Sequence, residues 1–329
     1  MQCRICVNSV NNKTYQIREL MYGFRDEFTY FECSNCGCLQ IAEIPKNMEK
    51  YYTLDYAPWT GHRHSENLLR RFLGIQRDKY LLFKTGFIGK LYDRVIPRGY
   101  LQGILHTIAN APVNSDSRIL DVGCGPGENL YLLRELGIKH LVGIDPYISK
   151  EVICKGFEIL KQTIHDLPNS QKFDLVFFNH SFEHIDDQIG TVIKVAHLLN
   201  QSGVCLIRMP LKTEHVWNLY GVNWVQIDAP RHFFIHTMKS FVCLVKQAGL
   251  EIRESVFDSS SFQFWASEQY KKDIPLQAEN SYFINPDISI FTPAQISEFE
   301  KMANELNRAN QGDQASFYLV CNVKQTRPK

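Results

Sequence analysis

Between residues 113 and 323 the chain alternates short apolar runs with amphipathic stretches. The runs are Ile119–Val122, His140–Asp145, Phe157–Leu160, Phe173–Phe178, Val204–Met209, Leu250–Phe257 and Phe317–Val323. Runs this short and this apolar read as strands buried on both faces. Between them, Glu128–Leu136, Gln188–Asn200, Thr237–Ala248 and Pro293–Asn310 carry apolar residues at helical spacing. Thr237 is placed to cap its helix, Gly249 to end it, and Pro293 to open the last one. Strands alternating with helices predict an α/β fold, a Rossmann-like sheet of seven strands. Upstream, Thr14–Leu20 and Phe28–Glu32 read as short strands, and residues 65–83 and 88–108 as two helices. The expected organisation is a small cysteine-rich unit at 1–45, a helical connector at 46–112 and the α/β domain at 113–329. Aromatic-rich insertions interrupt that domain at 210–236 and 258–290.

The first of the seven strands runs into Asp121-Val-Gly123-Cys-Gly125-Pro-Gly127-Glu128. A strand, a glycine turn and a helix form the opening of a nucleotide site, because glycine lets backbone N–H groups approach a ligand closely. A dinucleotide fingerprint would require a third glycine at 128, where the chain has Glu. Glu128 and Asp121 would oppose a pyrophosphate. They suit an adenosine derivative that lacks phosphates and carries a positive centre, and S-adenosylmethionine (SAM) has that chemistry. Asp145, followed by Pro146, ends the second strand about 20 residues on, where a carboxylate can accept both hydrogen bonds of a ribose diol.

Composition narrows the picture. The net charge of +1 gives no electrostatic case for nucleic acid or an anionic membrane. No run of apolar residues is long enough to span a bilayer and the N-terminus does not read as a signal peptide, so the expectation is a soluble, cytoplasmic protein. Ten cysteines occur, and four of them form two C-x2-C knuckles, Cys3/Cys6 and Cys33/Cys36. Two such knuckles complete a tetrahedron around zinc. With all four ligands protein thiolates, the expected role is structural.

Residues 117–130 resemble motif I of the class I SAM-dependent methyltransferases, E/D-x-G-x-G-x-G. The resemblance implies that Asp121, Gly123, Gly125, Gly127, Asp145 and Pro146 line the cofactor. It also implies that Thr163 and Ile164, after the third strand, edge the adenine, with Thr163 standing where the family usually has an acid. The loop leaving the fourth strand, Asn179-His-Ser-Phe-Glu183-His184-Ile-Asp-Asp187, matches the family pattern E-H-x-x-D. A hydroxyl acceptor needs a base, and histidine serves near neutral pH. His184, beside Glu183, is the first candidate, with His180 and His232 next. Tyr52 or Tyr56 is expected to reach over the cofactor cleft. A four-cysteine region, a tyrosine-bearing joint and the Glu-His pair together resemble a narrower group of methyltransferases, several of which act on nucleotide-linked sugars or natural-product precursors. The expected acceptor is therefore a small hydroxylated molecule. An RNA-base methyltransferase and a SAM-binding protein without activity are the alternatives.

Overall fold

The computed structural model describes residues 1–52, 68–96 and 103–322. Tyr56, and Val323 at the end of the last expected strand, lie outside the described residues.

The N-terminal unit contributes β1 (Lys13–Arg18), β2 (Glu27–Glu32) and β3 (Leu39–Ile41). Three helices follow: α1 (Leu68–Phe83), α2 (Phe87–Val95) and α3 (Gly103–Ile108). The alternating region then runs β4 (Arg118–Val122), α4 (Glu128–Glu135), β5 (His140–Ile144), β6 (Val152–Cys154), β7 (Phe157–Leu160), β8 (Phe173–Asn179), α5 (Gln188–Leu198) and β9 (Leu199–Pro210). Next come α6 (Glu214–Tyr220), β10 (Phe234–Ile235), α7 (Met238–Gln247), β11 (Leu250–Phe257), α8 (Phe262–Lys271), α9 (Pro293–Arg308) and β12 (Gln314–Cys321).

The large sheet has the order β11-β12-β9-β8-β4-β5-β7-β6. Among the described residues it therefore holds eight strands, not seven. The additional one, β6, is a three-residue edge strand antiparallel to β7, and its brevity hides it from any pattern reading. The single helix expected over 88–108 is likewise replaced by α2 and α3. In β8, Val176 and Phe178 join the core on one face, while Leu175 and Phe177 join the core on the other. All four are fully buried, so an unbroken apolar run marks this central strand.

Strand order reverses between β4 and β8. The chain winds from β4 through β5 to β7 on one side, then returns to place β8 on the other. The carboxyl ends of these two neighbours form the crevice in which sheets of this type take ligands.

A second sheet, β1-β2-β3-β10, joins the ends of the chain's first two thirds. Its last strand comes from the 210–236 segment, where Phe234 and Ile235 pair with Gln40 and Leu39. The apolar core is continuous from Cys3, Ile17 and Tyr30 through Trp224 and Phe234 to Phe178 and Ile207 of the large sheet. Thr237 stitches the two regions together. Its Oγ1 accepts from Ser240 N at 3.1 Å, capping α7, and donates to Cys36 O at 2.7 Å. Thr237→Val removes both bonds at nearly constant volume. It should lower unfolding free energy by about 1–2 kcal/mol in denaturant melts.

Candidate functional site

The glycine turn leaves β4 with three left-handed residues. At Gly123 (φ +73°) an added Cβ would sit 2.4 Å from Ser181 Cβ, so only glycine lets the turn close against the β8 loop. At Gly125 (φ +51°) an added Cβ would meet nothing within 4 Å, so this glycine faces open space. The Gly125 N–H donates to Asp145 Oδ2 at 3.0 Å and the Tyr147 N–H to Oδ1 at 2.8 Å. The Asp145 carboxylate is thereby fixed at the tip of β5 with lone pairs remaining on both oxygens. Asp121 is buried, and its Oδ2 has no hydrogen-bond partner among the described residues. Burial holds its carboxyl well above the usual range, with Asp145 adding to the shift and the Asn129 side chain opposing it. A cation brought beside this orphaned oxygen would relieve that penalty. A SAM-type ligand, with its positive charges and ribose diol, fits these residues.

The facing wall is the loop after β8. Ser181 Oγ donates to Val122 O at 2.5 Å, tying this loop to the glycine strand. His180 is held in the left-handed region (φ +53°). Arg208 donates to its Nε2 at 2.6 Å, so its Nδ1 carries the proton and faces Glu183 Oε1 at 3.6 Å. Glu183 is 1% exposed, and neither carboxylate oxygen has a hydrogen-bond partner among the described residues. His184 Nδ1 donates to Arg231 O at 2.9 Å, and Tyr52 Oη lies 3.2 Å from the same nitrogen. His232 Nδ1 donates to Gln226 O at 2.8 Å, while its Nε2 stands 3.8 Å from Glu183 Oε1. Glu183, His184 and His232 bring one donor atom each within 4.8 Å of one another. His184 and Arg231, 47 positions apart in the chain, thus meet on the wall that faces the glycine turn.

A family model described as a methyltransferase domain matches residues 92–255. The chain carries a SAM-dependent methyltransferase domain. Among its relatives is the tRNA U34 carboxymethyltransferase of Aliarcobacter butzleri (strain RM4018), 23% identical over 231 residues, which cover 65% of this chain and 74% of that protein. The trans-aconitate 2-methyltransferase of Escherichia coli O157:H7 (strain EC4115 / EHEC) is 28% identical over 154 residues, or 44% of this chain. That match spans 61% of the relative's own length. A solved structure of a SAM-dependent methyltransferase from Mesorhizobium loti is 15% identical with a TM-score of 0.42, covering 67% of this chain and 99% of that one.

In this methyltransferase the remaining sequence-based site residues are placed as follows. Pro146 is exposed next to Asp145. Ile164 is buried, whereas the Thr163 hydroxyl is committed to Asp166 Oδ2 at 2.7 Å in a capping box. Asn179 Oδ1 accepts from Arg208 Nη1 at 3.3 Å. The Tyr52 ring lies between His184 and Tyr147, with centroids at 6.2 Å and 6.3 Å, so it bridges the β8 loop and the β5 tip. Among the described residues no helix is long and apolar enough to cross a membrane.

The four cysteines cluster as their spacing predicts. Cys3 and Cys36 Sγ atoms lie 3.7 Å apart, and Cys6 and Cys33 Sγ atoms 3.5 Å apart. Thiolates around a tetrahedral zinc at about 2.3 Å are separated by roughly 3.8 Å, so the donor set fits that ion. Backbone N–H groups of Ile5 and Cys6 point to Cys3 Sγ, and the Gln40 side chain donates to it at 3.0 Å. These donors stabilise a thiolate.

Four polar residues that hold the wall around His184 were not among the expected site residues: Glu19, Arg208, Asp228 and Arg231. The 210–236 segment stood out as an aromatic-rich insertion, and nothing in the sequence pointed to Glu19. Burial works against ionisation of Glu183, yet His180, His232 and His184 outweigh it and bring the carboxyl down to about 2. Burial, then the neighbouring His232, lowers His184 to about 4, and burial lowers His236 to about 3. Both imidazoles are neutral at pH 7. Between pH 6.5 and 4 the unfolded chain takes up protons at these positions that the folded chain refuses, so stability falls with acidification through that window. Histidine NMR titration should show both rings still uncharged at pH 5. An ordinary midpoint near 6.5 at either ring would contradict the burial account.

Proposed function

We propose that this methyltransferase acts on a hydroxyl group of a small, sugar-like molecule, with zinc serving a structural role in the cysteine cluster. The observation that carries the reading is the Glu183, His184 and His232 constellation beside the glycine cradle. It is an anion and two neutral-capable imidazoles, arranged to receive protons from a donor-rich acceptor. A carboxylate acceptor would meet Glu183 and Asp228 as like charges.

When bound, SAM supplies an electrophilic methyl group on a sulfonium. Asp121, Gly123, Gly125, Gly127 and Asp145 would hold it, with Pro146, Thr163, Ile164 and Asn179 at its edges. His184 has its Nδ1–H committed to Arg231 O, which leaves Nε2 to take the acceptor's proton. Glu183 stabilises the positive charge that forms on the ring. His232 stands against the same carboxylate, and Tyr52 covers the junction and excludes water. An RNA acceptor is the second reading, favoured by the relative named as a tRNA U34 carboxymethyltransferase. Incubation with labelled SAM, nucleotide-sugar extracts and bulk tRNA separates the two by where the label goes.

Three measurements test the residues. Asp145→Ala should weaken SAM binding by about 1–3 kcal/mol in calorimetry, through loss of charge-assisted bonds to the ribose. Unchanged affinity would remove Asp145 from the site. His184→Ala should lower turnover by ~10²-fold or more while SAM still binds, and near-normal turnover would reject it as the base. Metal analysis should find zinc on the intact protein, and strong chelators should loosen β1–β3 as seen by hydrogen exchange; protein purified without zinc and unaltered by chelator would end the metal assignment.

A further inference from the structure

Arg231 is 0% exposed and lies where three distant parts of the chain meet. Its Nη2 donates to Glu19 Oε1 at 3.0 Å and to Asp228 Oδ1 at 2.5 Å. Its Nε donates to Asp228 Oδ2 at 2.9 Å and its Nη1 to Tyr51 O at 3.1 Å. The Tyr22 ring stacks below the guanidinium, 5.3 Å away. Glu19, also fully buried, is itself locked by the N–H groups of Tyr22 and Phe24, each at 2.9 Å. The charge is therefore paired twice and fully desolvated.

The groups around His184 connect to this hub or to the residues that follow it. The Arg231 carbonyl accepts the Nδ1–H of His184 and so selects the tautomer with a free Nε2. The Arg231 side chain holds the carbonyl of Tyr51, next to Tyr52. His232 follows Arg231 in the chain; its carbonyl accepts from Tyr30 Oη at 2.9 Å, and its Nε2 lies 3.8 Å from the Asp228 that Arg231 anchors. The N–H of Phe233 donates to Glu183 O at 2.9 Å.

We propose that Arg231 and Glu19 are positioning residues for the acceptor step: through their ion pair the N-terminal cysteine unit fixes the tautomer of His184 and the placement of Tyr52. The proposal rests on the reading of His184 as the acceptor-side base. Among the described residues the side-chain hydrogen bonds of Arg231 and Glu19 go to Asp228, Tyr51, Tyr22 and Phe24 and to each other, none of them in the glycine turn, so cofactor binding should be insulated from both.

The test uses the full chain with 15N-labelled histidine, His184 assigned by comparison with His184→Gln, in wild type, Glu19→Gln and Arg231→Lys. Wild type should show His184 as a single Nδ1–H tautomer. Both variants should convert it to a mixture of tautomers while affinity for SAM, by calorimetry, changes less than about twofold. Arg231→Lys keeps the charge between Glu19 and Asp228 and should retain more of the Nδ1–H form than Glu19→Gln. An unchanged His184 tautomer in both variants overturns the proposal. So does loss of SAM binding together with the tautomer, because the pair would then merely support the fold. The NMR readout needs no turnover, so a His184→Ala variant that still methylates would sink the base assignment while leaving this result to be judged separately.

Discussion

One buried cation, the Arg231 guanidinium, holds together the segments that surround His184. Taking the Arg231 guanidinium out of water is costly, and the cost is offset only when its donors are satisfied and opposite charges lie close. Glu19 and Asp228 supply those charges, and Tyr51 supplies a further acceptor. Burial would raise the Asp228 carboxyl, yet the Arg231 charge and hydrogen bonds keep it below its ordinary range. Removing one partner of such a cluster typically costs about 3–5 kcal/mol, because an uncompensated charge stays behind. That penalty makes the geometry around residues 228–232 conditional on the cysteine unit being correctly seated.

The two halves of the site thus have different foundations. The cofactor cradle belongs to the parallel sheet. It arises where strand order reverses, and it is built from a glycine turn and two carboxylates at adjoining strand tips. The acceptor side is shared between the sheet and the N-terminal unit. Glu183 and His184 come from the loop after β8, whereas His232 comes from a segment whose next residues become a strand of the small sheet. Ser181 joins the halves through its bond to Val122. Electrostatics follow the same division. Asp121 is a buried acid raised further by Asp145, and Glu183 is a buried acid surrounded by imidazoles.

Much of this was legible in the sequence because local chemistry forces it. Three glycines between Asp121 and Glu128 leave few conformations other than a ligand-facing turn. Knuckle spacing decides which four cysteines meet, and continuous apolar runs mark central strands such as β8. These features depend on residues within a few positions of one another. Tertiary structure alone decided the rest. β6 is too short to carry a pattern, and it exists only because β7 offers an edge. β10 is two residues long and is a strand only because β3 lies beside it. Glu19 reads as an ordinary surface acid until the fold brings it to Arg231, 212 residues away, and burial of both makes each indispensable to the other. Sequence specifies a glycine turn flanked by acids, because those residues are neighbours in the chain; only folding can specify that Glu19 pairs with Arg231 and that the Arg231 carbonyl meets His184.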